Sequence, residues 1–253
     1  MNGLWAGLAG LVGLAEEAIA HFALVFLRVG AAVALIPAFG EQAVPQRIKL
    51  ALALATTFVV APAVAWAPAP GSAAFLAEAV VGVILGIGLR LVLLGLQTAG
   101  SIAAQSVSLA QMFNGTGPDP QPIISNVLVL AGLALFVATG GVARAVELLV
   151  LSYQLMPAGE LPRAAVIAEW GIGRISRAFA LAFALAAPFV LAALLYNLAL
   201  GVINRAMPML MVTFIGAPAL TLGGLVLLAL IAPHLLVVWR EAMDRALLLP
   251  LVP

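Results

Sequence analysis

Charged residues are scarce in this sequence. Only 8% of the 253 residues are Asp, Glu, Lys or Arg, whereas 65% are hydrophobic. Water-soluble domains carry about 25% charged residues, so most of this chain cannot face water. The hydrophobic residues form unbroken runs rather than an alternating pattern, and only helices or closed barrels pair all their backbone polar groups in lipid. The composition therefore predicts an all-α membrane protein.

Cysteine is absent, and the net charge is small. Without cysteine the chain can form no disulfide, thiolate metal site or thiol nucleophile. The formal net charge of +1 supplies no basic surface of the kind that holds nucleic acid. We therefore expect neither thiol chemistry nor a nucleic-acid partner.

Side chains that could catalyse a reaction or bind a metal are equally sparse. His21 and His234 are the only histidines, and neither is followed three or four positions later by a carboxylate or a second histidine, as a helical metal site would need. No H-E-x-x-H or G-x-S-x-G motif occurs. We interpret both histidines as structural and expect no catalytic residue, no metal and no cofactor.

Six hydrophobic stretches approach or exceed the roughly 20 residues that cross a membrane as a helix. They cover Ala18 to Phe39, Ile48 to Trp66, Ala73 to Leu96, Ile123 to Val142, Ala178 to Ile203 and Leu210 to Trp239. A short polar link joins the first two, which predicts a helical hairpin. Pro188 lies in the fifth stretch and Pro218 and Pro233 lie in the sixth, so both helices are expected to be kinked or split.

No internal repeat divides the chain, and we interpret residues 1–253 as one membrane-embedded domain. Residues 97–122 form a polar segment that ends in NGTGPDPQP, a composition that predicts a loop. Residues 144–177 are amphipathic and predict a water-accessible segment. Because Lys and Arg do not alternate cleanly between successive links, the sidedness of the chain and the number of true spans stay open.

Two arginines lie inside the apolar stretches, where an unpaired guanidinium costs at least a few kcal/mol. Arg28 lies ten residues into the first stretch, and Arg90 lies toward the end of the third. Glu78, one turn inside the third stretch, is a candidate counter-ion for Arg28. Snorkelling of the side chain to the membrane surface explains the position of Arg90 as well as a function does.

Small and flexible side chains mark two further stretches. Gly82 and Gly86 form a small-xxx-small face that lets another backbone approach closely, either in generic packing or in a subunit contact. Residues 203–218 combine a charge with two prolines and three methionines, which are Met207, Met209 and Met211. Methionine is adaptable, so these side chains are either gap-fillers or a deformable seal.

Several short motifs follow one another in a fixed order along nearly the whole chain. They are FLRVG at 26–30, PAFG at 37–40, PQR at 45–47, GxxxG at 82–86, Asp119-Pro120, Ser152 and Pro157, Pro188, Asn204-Arg205-Ala-x-Pro208 and Gly216-x-Pro218. Each motif is weak alone. In their order and spacing they resemble the FliR family of flagellar export-gate subunits, whose injectisome relatives are the SctT proteins.

The resemblance implies a core subunit of the flagellar type III gate through which unfolded proteins are exported. Its partners would be FliP- and FliQ-type subunits, further membrane proteins of the export apparatus and the exported chains. It would lie in the bacterial inner membrane, at the flagellar basal body. The implied fold has about six long hydrophobic helices arranged as hairpins, several of them kinked or broken, that stack into a helical multi-subunit gate.

The resemblance also implies two groups of working residues. The pore-facing plug would consist of Met112, Phe113, Asn114, Gly115, Thr116, Gly117, Asp119 and Pro120, with the first two narrowing the lumen. Subunit contacts or buried charges would lie at Arg28, Gly82, Gly86, Asn204, Arg205, Pro208, Met209 and Met211.

Other functions fit the composition. A secondary transporter would use the broken fifth and sixth helices and Arg28 as an anion site at the membrane midplane, although the two halves show no matching pair of interrupted segments. A structural membrane scaffold would share the composition but form no channel. The equivalent subunit of a virulence secretion system is a further alternative, and the flagellar assignment is preferred as the commoner one.

Overall fold

The structure, a computed structural model, describes residues 2–65, 71–107, 123–207 and 212–248. All regular structure in these ranges is helical, which confirms the predicted class. The α-helices are α1 (Asn2–Val33), α2 (Gln46–Val60), α3 (Ser72–Ser106), α4 (Ile123–Ala138), α5 (Gly141–Leu155), α6 (Ala164–Ala206) and α7 (Val212–Leu248), and a 3-10 helix (Ala61–Ala63) follows α2.

Three of the described helices are long and apolar enough to cross a membrane, namely α3, α6 and the part of α7 from Pro218 to Leu248. The number rises to four if α4 and α5 form one span, but these two helices are bent by 70° at the break between them. Gly140 lies in this break with φ +77°, a left-handed conformation that ends a helix and that glycine adopts without strain. A broken helix is therefore present, but it lies in the stretch predicted as one helix. The predicted splits in the fifth and sixth stretches are wrong, since α6 continues through Pro188 and α7 continues through Pro218 and Pro233.

Most helix ends differ from the sequence-based ones because apolar length is not helical length. α1 begins at Asn2 rather than Ala18 and ends at Val33 rather than Phe39. α3 continues to Ser106, well into the polar segment. α6 begins at Ala164, so part of the amphipathic segment belongs to the same helix as the fifth stretch. Polar side chains end an apolar run, but they do not by themselves end a helix.

α1 and α2 form the predicted hairpin. The rings of Phe22 and Phe58 lie with their centroids 4.8 Å apart, and His21 Nε2 donates a hydrogen bond to the Ala61 carbonyl at 3.1 Å. Nearer the link, Lys49 Nζ donates to the Gly40 carbonyl at 3.2 Å. Residues 21, 22 and 40 thus contact residues 61, 58 and 49 in that order. Because one set of residue numbers rises while the other falls, the two helices are antiparallel.

Two glycines let α3 lie directly against α1. A Cβ atom on Gly86 would lie 2.7 Å from Leu35 Cβ and 2.9 Å from the Ala32 carbonyl oxygen. A Cβ atom on Gly82 would overlap the Arg28 carbonyl oxygen. The small-xxx-small face predicted from the sequence is therefore covered by α1 of the same chain.

The described residues divide into two compact units. The first contains those of 1–90, 140–172 and 245–248, and the second contains those of 91–139 and 173–244. In the second unit, Trp239 of α7 is fully buried and its Nε1 donates to the Val92 carbonyl of α3 at 3.0 Å. Ser125 of α4 donates to the Gln97 carbonyl at 2.8 Å, so α4 and α7 both pack on the second half of α3. The interpretation of the chain as one domain stays a prediction.

We expect Gly86→Ala to destabilise the isolated protein by about 1–3 kcal/mol, because overpacking of a close contact costs this much. The matched control is Gly171→Ala, where no atom lies within 4 Å of an added Cβ. That change should be neutral or stabilising by up to about 1 kcal/mol. Thermal unfolding of both variants in mild detergent measures the difference, and equal effects would contradict the close contact between α1 and α3.

Candidate functional site

Arg28 and Glu78 form a fully buried ion pair in the first unit. Both side chains are 0% exposed. Arg28 Nε donates to Glu78 Oε2 at 2.7 Å, and Nη2 donates to Oε1 at 2.8 Å. Two parallel N–H···O bonds are the strongest geometry available to a guanidinium and a carboxylate. Glu78 was the candidate counter-ion in the sequence, and the structure places it against Arg28.

The glycine contact explains why these two side chains meet. Gly82 lies one helical turn after Glu78, so both residues are on the same face of α3. Because Gly82 has no side chain, α3 approaches the backbone of α1 at Arg28 itself. The carboxylate one turn away is thereby brought within hydrogen-bonding distance of the guanidinium.

The third nitrogen of Arg28, Nη1, is directed at the end of α5 and the residue that follows it. Nη1 donates to Ser152 Oγ at 3.2 Å and to the Met156 carbonyl at 3.0 Å. Arg28 Cζ lies 3.7 Å from the centre of the Tyr153 ring, which is a cation–π arrangement. The guanidinium is thus hydrogen-bonded at all three nitrogens and stacked on an aromatic face.

Glu78 accepts two further hydrogen bonds. Tyr153 Oη donates to Oε2 at 3.1 Å, and the Gly159 amide donates to Oε1 at 2.8 Å. Gly159 lies in the link between α5 and α6 and has φ +80°, a conformation that favours glycine. We use the term Arg28 network for the six residues joined in this way: Arg28, Glu78, Ser152, Tyr153, Met156 and Gly159.

The Arg28 network is built to hold parts of the chain together. Each oxygen of Glu78 accepts two hydrogen bonds, so the carboxylate is saturated. An incoming anion could reach Arg28 only by displacing Glu78 from a site with no exposed surface. The arrangement therefore clamps α1, α3, α5 and the link after α5, and it does not form an anion site.

Arg90 has a partner in the link between α1 and α2. It forms an ion pair with Glu41, and the two side chains are 26% and 21% exposed. A pair with this much solvent contact contributes about 1 kcal/mol or less, but it connects α3 to the hairpin link. Sequence reasoning missed Glu41, although it is the single carboxylate between the first two apolar stretches.

The other predicted site residues lie elsewhere. Asn204 and Arg205 are exposed on the last turn of α6, in the second unit, and Arg205 makes no ion pair with the described residues. Tyr153 and Gly159 of the Arg28 network were not predicted. The predicted plug residues, Met112 to Gly117 with Asp119 and Pro120, lie outside the described residues, as do Pro208, Met209 and Met211.

α6 and α7 expose large apolar side chains. In the most hydrophobic stretch of α3, 56% of the residues are buried inside the protein. The corresponding share is only 28% for α6 and 22% for α7. Phe183, Leu195 and Leu230 are more than three-fifths exposed. Contiguous apolar surface of this kind requires lipid or another protein.

Replacing one member of the buried pair should destabilise the protein more than replacing both members. Arg28→Met leaves a buried carboxylate without its cation, and we expect a loss of about 3–5 kcal/mol. The double variant Arg28→Met with Glu78→Met removes both charges, so it should be more stable than the sum of the single losses predicts. Arg163→Met, at an exposed arginine, is the control. Additive losses in thermal unfolding, or an Arg28→Met variant as stable as the parent, would contradict a coupled pair.

Comparison with known proteins shows the family of this chain. Residues 19–246 match the sequence profile of the bacterial export proteins, family 1. The flagellar biosynthetic protein FliR of Caulobacter vibrioides is 33% identical over 235 residues, which cover 88% of this chain and 94% of that protein. The proteins of the same name from Escherichia coli (30% identical, covering 82% of each chain) and Aquifex aeolicus (28% identical, covering 86% and 87%) are also similar. The chain therefore belongs to family 1 of the bacterial export proteins, the family that its motifs resemble.

Proposed function

We propose that this chain, a subunit of the flagellar type III protein export apparatus, helps to form and to close the channel through which unfolded flagellar proteins pass. The observation that carries the proposal is the family match, which extends from residue 19 to residue 246. It includes both the hairpin with Arg28 and the long helices α6 and α7. In this role the chain forms a passage and catalyses no reaction.

The exposed helices support an assembled, membrane-embedded state. α6 and α7 carry apolar side chains that neither unit buries, and such faces are covered when subunits stack in or near a bilayer. The proposed partners are FliP- and FliQ-type subunits, and the proposed location is the bacterial inner membrane. The relatives named above are flagellar, which favours a flagellar apparatus over a virulence secretion system.

A secondary transporter is a weaker candidate. Its case depended on Arg28 as an anion site, but the donors of Arg28 are engaged by Glu78, Ser152 and Met156 within the chain. The saturated pair suits a subunit that must keep its shape while a polypeptide moves past it. The Arg28 network is therefore assigned to the scaffold of the gate rather than to its passage.

The proposed closure lies in residues 111–120, on the strength of the family resemblance and of their composition. The glycines and prolines of this stretch predict a loop, and Met112 and Phe113 are adaptable or bulky apolar side chains that can narrow a pore. A resting gate has to block ions and still yield to a passing chain. A loop closed by apolar side chains meets both requirements without a stable barrier of its own.

Deletion of residues 112–117 should make the gate permeable to ions, because the narrowing side chains and their loop are removed. Conductance is measured across vesicles that contain this chain assembled with its partner subunits. The control is Leu161→Ser, an exposed apolar residue in the link between α5 and α6. A normally assembled deletion variant with unchanged conductance would reject the plug, and it is the result that a scaffold or a transporter predicts.

Alanine substitutions of Arg205 and of Arg28 should affect subunit assembly in different ways. Arg205 is exposed on α6, so Arg205→Ala should leave the stability of the isolated chain within about 0.5 kcal/mol but reduce copurification with the partner subunits. Arg28→Ala should reduce both, because its partners lie within the chain. Copurification from detergent, set against thermal unfolding of each variant, separates the two roles. If Arg205→Ala copurifies as fully as Arg163→Ala, Arg205 is not a subunit contact.

A further inference from the structure

A groove of about 330 Å³ lies between α1, α2 and the start of α3 in the first unit. Its walls are mostly apolar or small, and they include Phe26 and Gly30 from α1 and Leu50 and Ala53 from α2. Gln46 and Lys49 are the polar side chains among the residues that line it. The groove thus has an apolar body and one cationic position, near the first turn of α2.

Lys49 is the basic residue among those that line the groove. Its Nζ donates to the Gly40 carbonyl, but within the described residues it forms no ion pair. Glu41, the acidic residue of the neighbouring link, is engaged by Arg90. Arg47 lies on the same first turn and is exposed. It is not among the residues that line the groove, because residues two positions apart on a helix do not face each other. Lys49 is therefore the cation of the groove wall, and no carboxylate of the described residues forms an ion pair with it.

The exposed side of α2, the helix that forms one wall of the groove, is apolar as well. Leu50, Phe58 and Val59 of α2 are 54%, 69% and 64% exposed. An apolar helix face of this kind is not stable in contact with water. α2 therefore presents an apolar surface that is suited to contact with acyl chains.

We propose that this groove binds one anionic phospholipid, with an acyl chain along Phe26, Gly30 and Ala53 and the phosphate against Lys49. The volume lies within the range of about 300–1,000 Å³ typical of small-molecule sites. Basic positions between membrane helices attract anionic lipid head groups. Charge complementarity favours a lipid over an apolar side chain of another subunit, because a purely apolar occupant would leave Lys49 without a counter-charge.

Native mass spectrometry of the full chain in mild detergent tests the head group, with phosphatidylglycerol and phosphatidylcholine as probes. The parent protein should bind phosphatidylglycerol more tightly. Lys49→Gln should weaken phosphatidylglycerol binding about fivefold, the effect of one lysine near an anionic lipid surface, and leave phosphatidylcholine binding unchanged. Lys49→Arg should preserve the preference. Arg163→Gln removes an exposed arginine outside the groove and should change neither affinity.

A second variant tests the acyl chain. A Cβ atom on Gly30 would meet only the Phe26 ring, at 3.7 Å or more, so Gly30→Leu can be accommodated while its side chain fills the groove. This variant should weaken the binding of both lipids. Because these measurements record lipid binding by the isolated chain, they do not depend on whether the proposed plug closes a channel.

Four results would overturn the proposal. The first is equal binding of the two lipids by the parent protein. The second is a loss after Lys49→Gln no larger than the loss after Arg163→Gln. The third is unchanged binding after Gly30→Leu. The fourth is release of phosphatidylglycerol when the partner subunits assemble with the chain, which would assign the groove to a protein contact.

Discussion

The first unit depends on the desolvation of one guanidinium. In a buried ion pair, the attraction between the two charges offsets their desolvation only when the charged atoms are close together and the remaining polar atoms are hydrogen-bonded. Arg28 achieves this with groups from α3, α5 and the turn after α5, so these segments must all reach their positions for any one of them to be stable. In a chain whose helix faces are largely interchangeable apolar surfaces, such a requirement selects one helix register from many of similar packing energy.

The glycines of α3 make this geometry accessible. Between helices in lipid there is little hydrophobic driving force, and association depends on van der Waals contact and hydrogen bonds. Gly82 and Gly86 supply the contact by admitting the α1 backbone, and Glu78 supplies the hydrogen bonds one turn earlier. Packing and electrostatics thus act at the same crossing of α1 and α3, and a change in either alters the other.

Composition was sufficient to predict the helical class, and the rarity of charge was sufficient to single out Arg28 and its partner Glu78. The ends of the helices were not predictable from apolar length, since α1, α3 and α6 continue through polar residues. The bend at Gly140 depends on a left-handed backbone that one glycine among 24 does not reveal. Tyr153 and Gly159 were missed because they contribute a hydroxyl and a backbone amide, groups that carry no charge signal in a sequence. The plug, inferred from family resemblance, stays a prediction.

The separation of Arg28 and Glu78 along the chain sets an order of events during biosynthesis. The two residues are 50 positions apart, and ribosomes add about 5–20 residues per second. α1 therefore leaves the ribosome roughly 3 to 10 s before its carboxylate partner, and for that time its arginine has no counter-ion in the nascent chain. The first helix of this protein must wait, in water or in the insertion machinery, until the third one arrives.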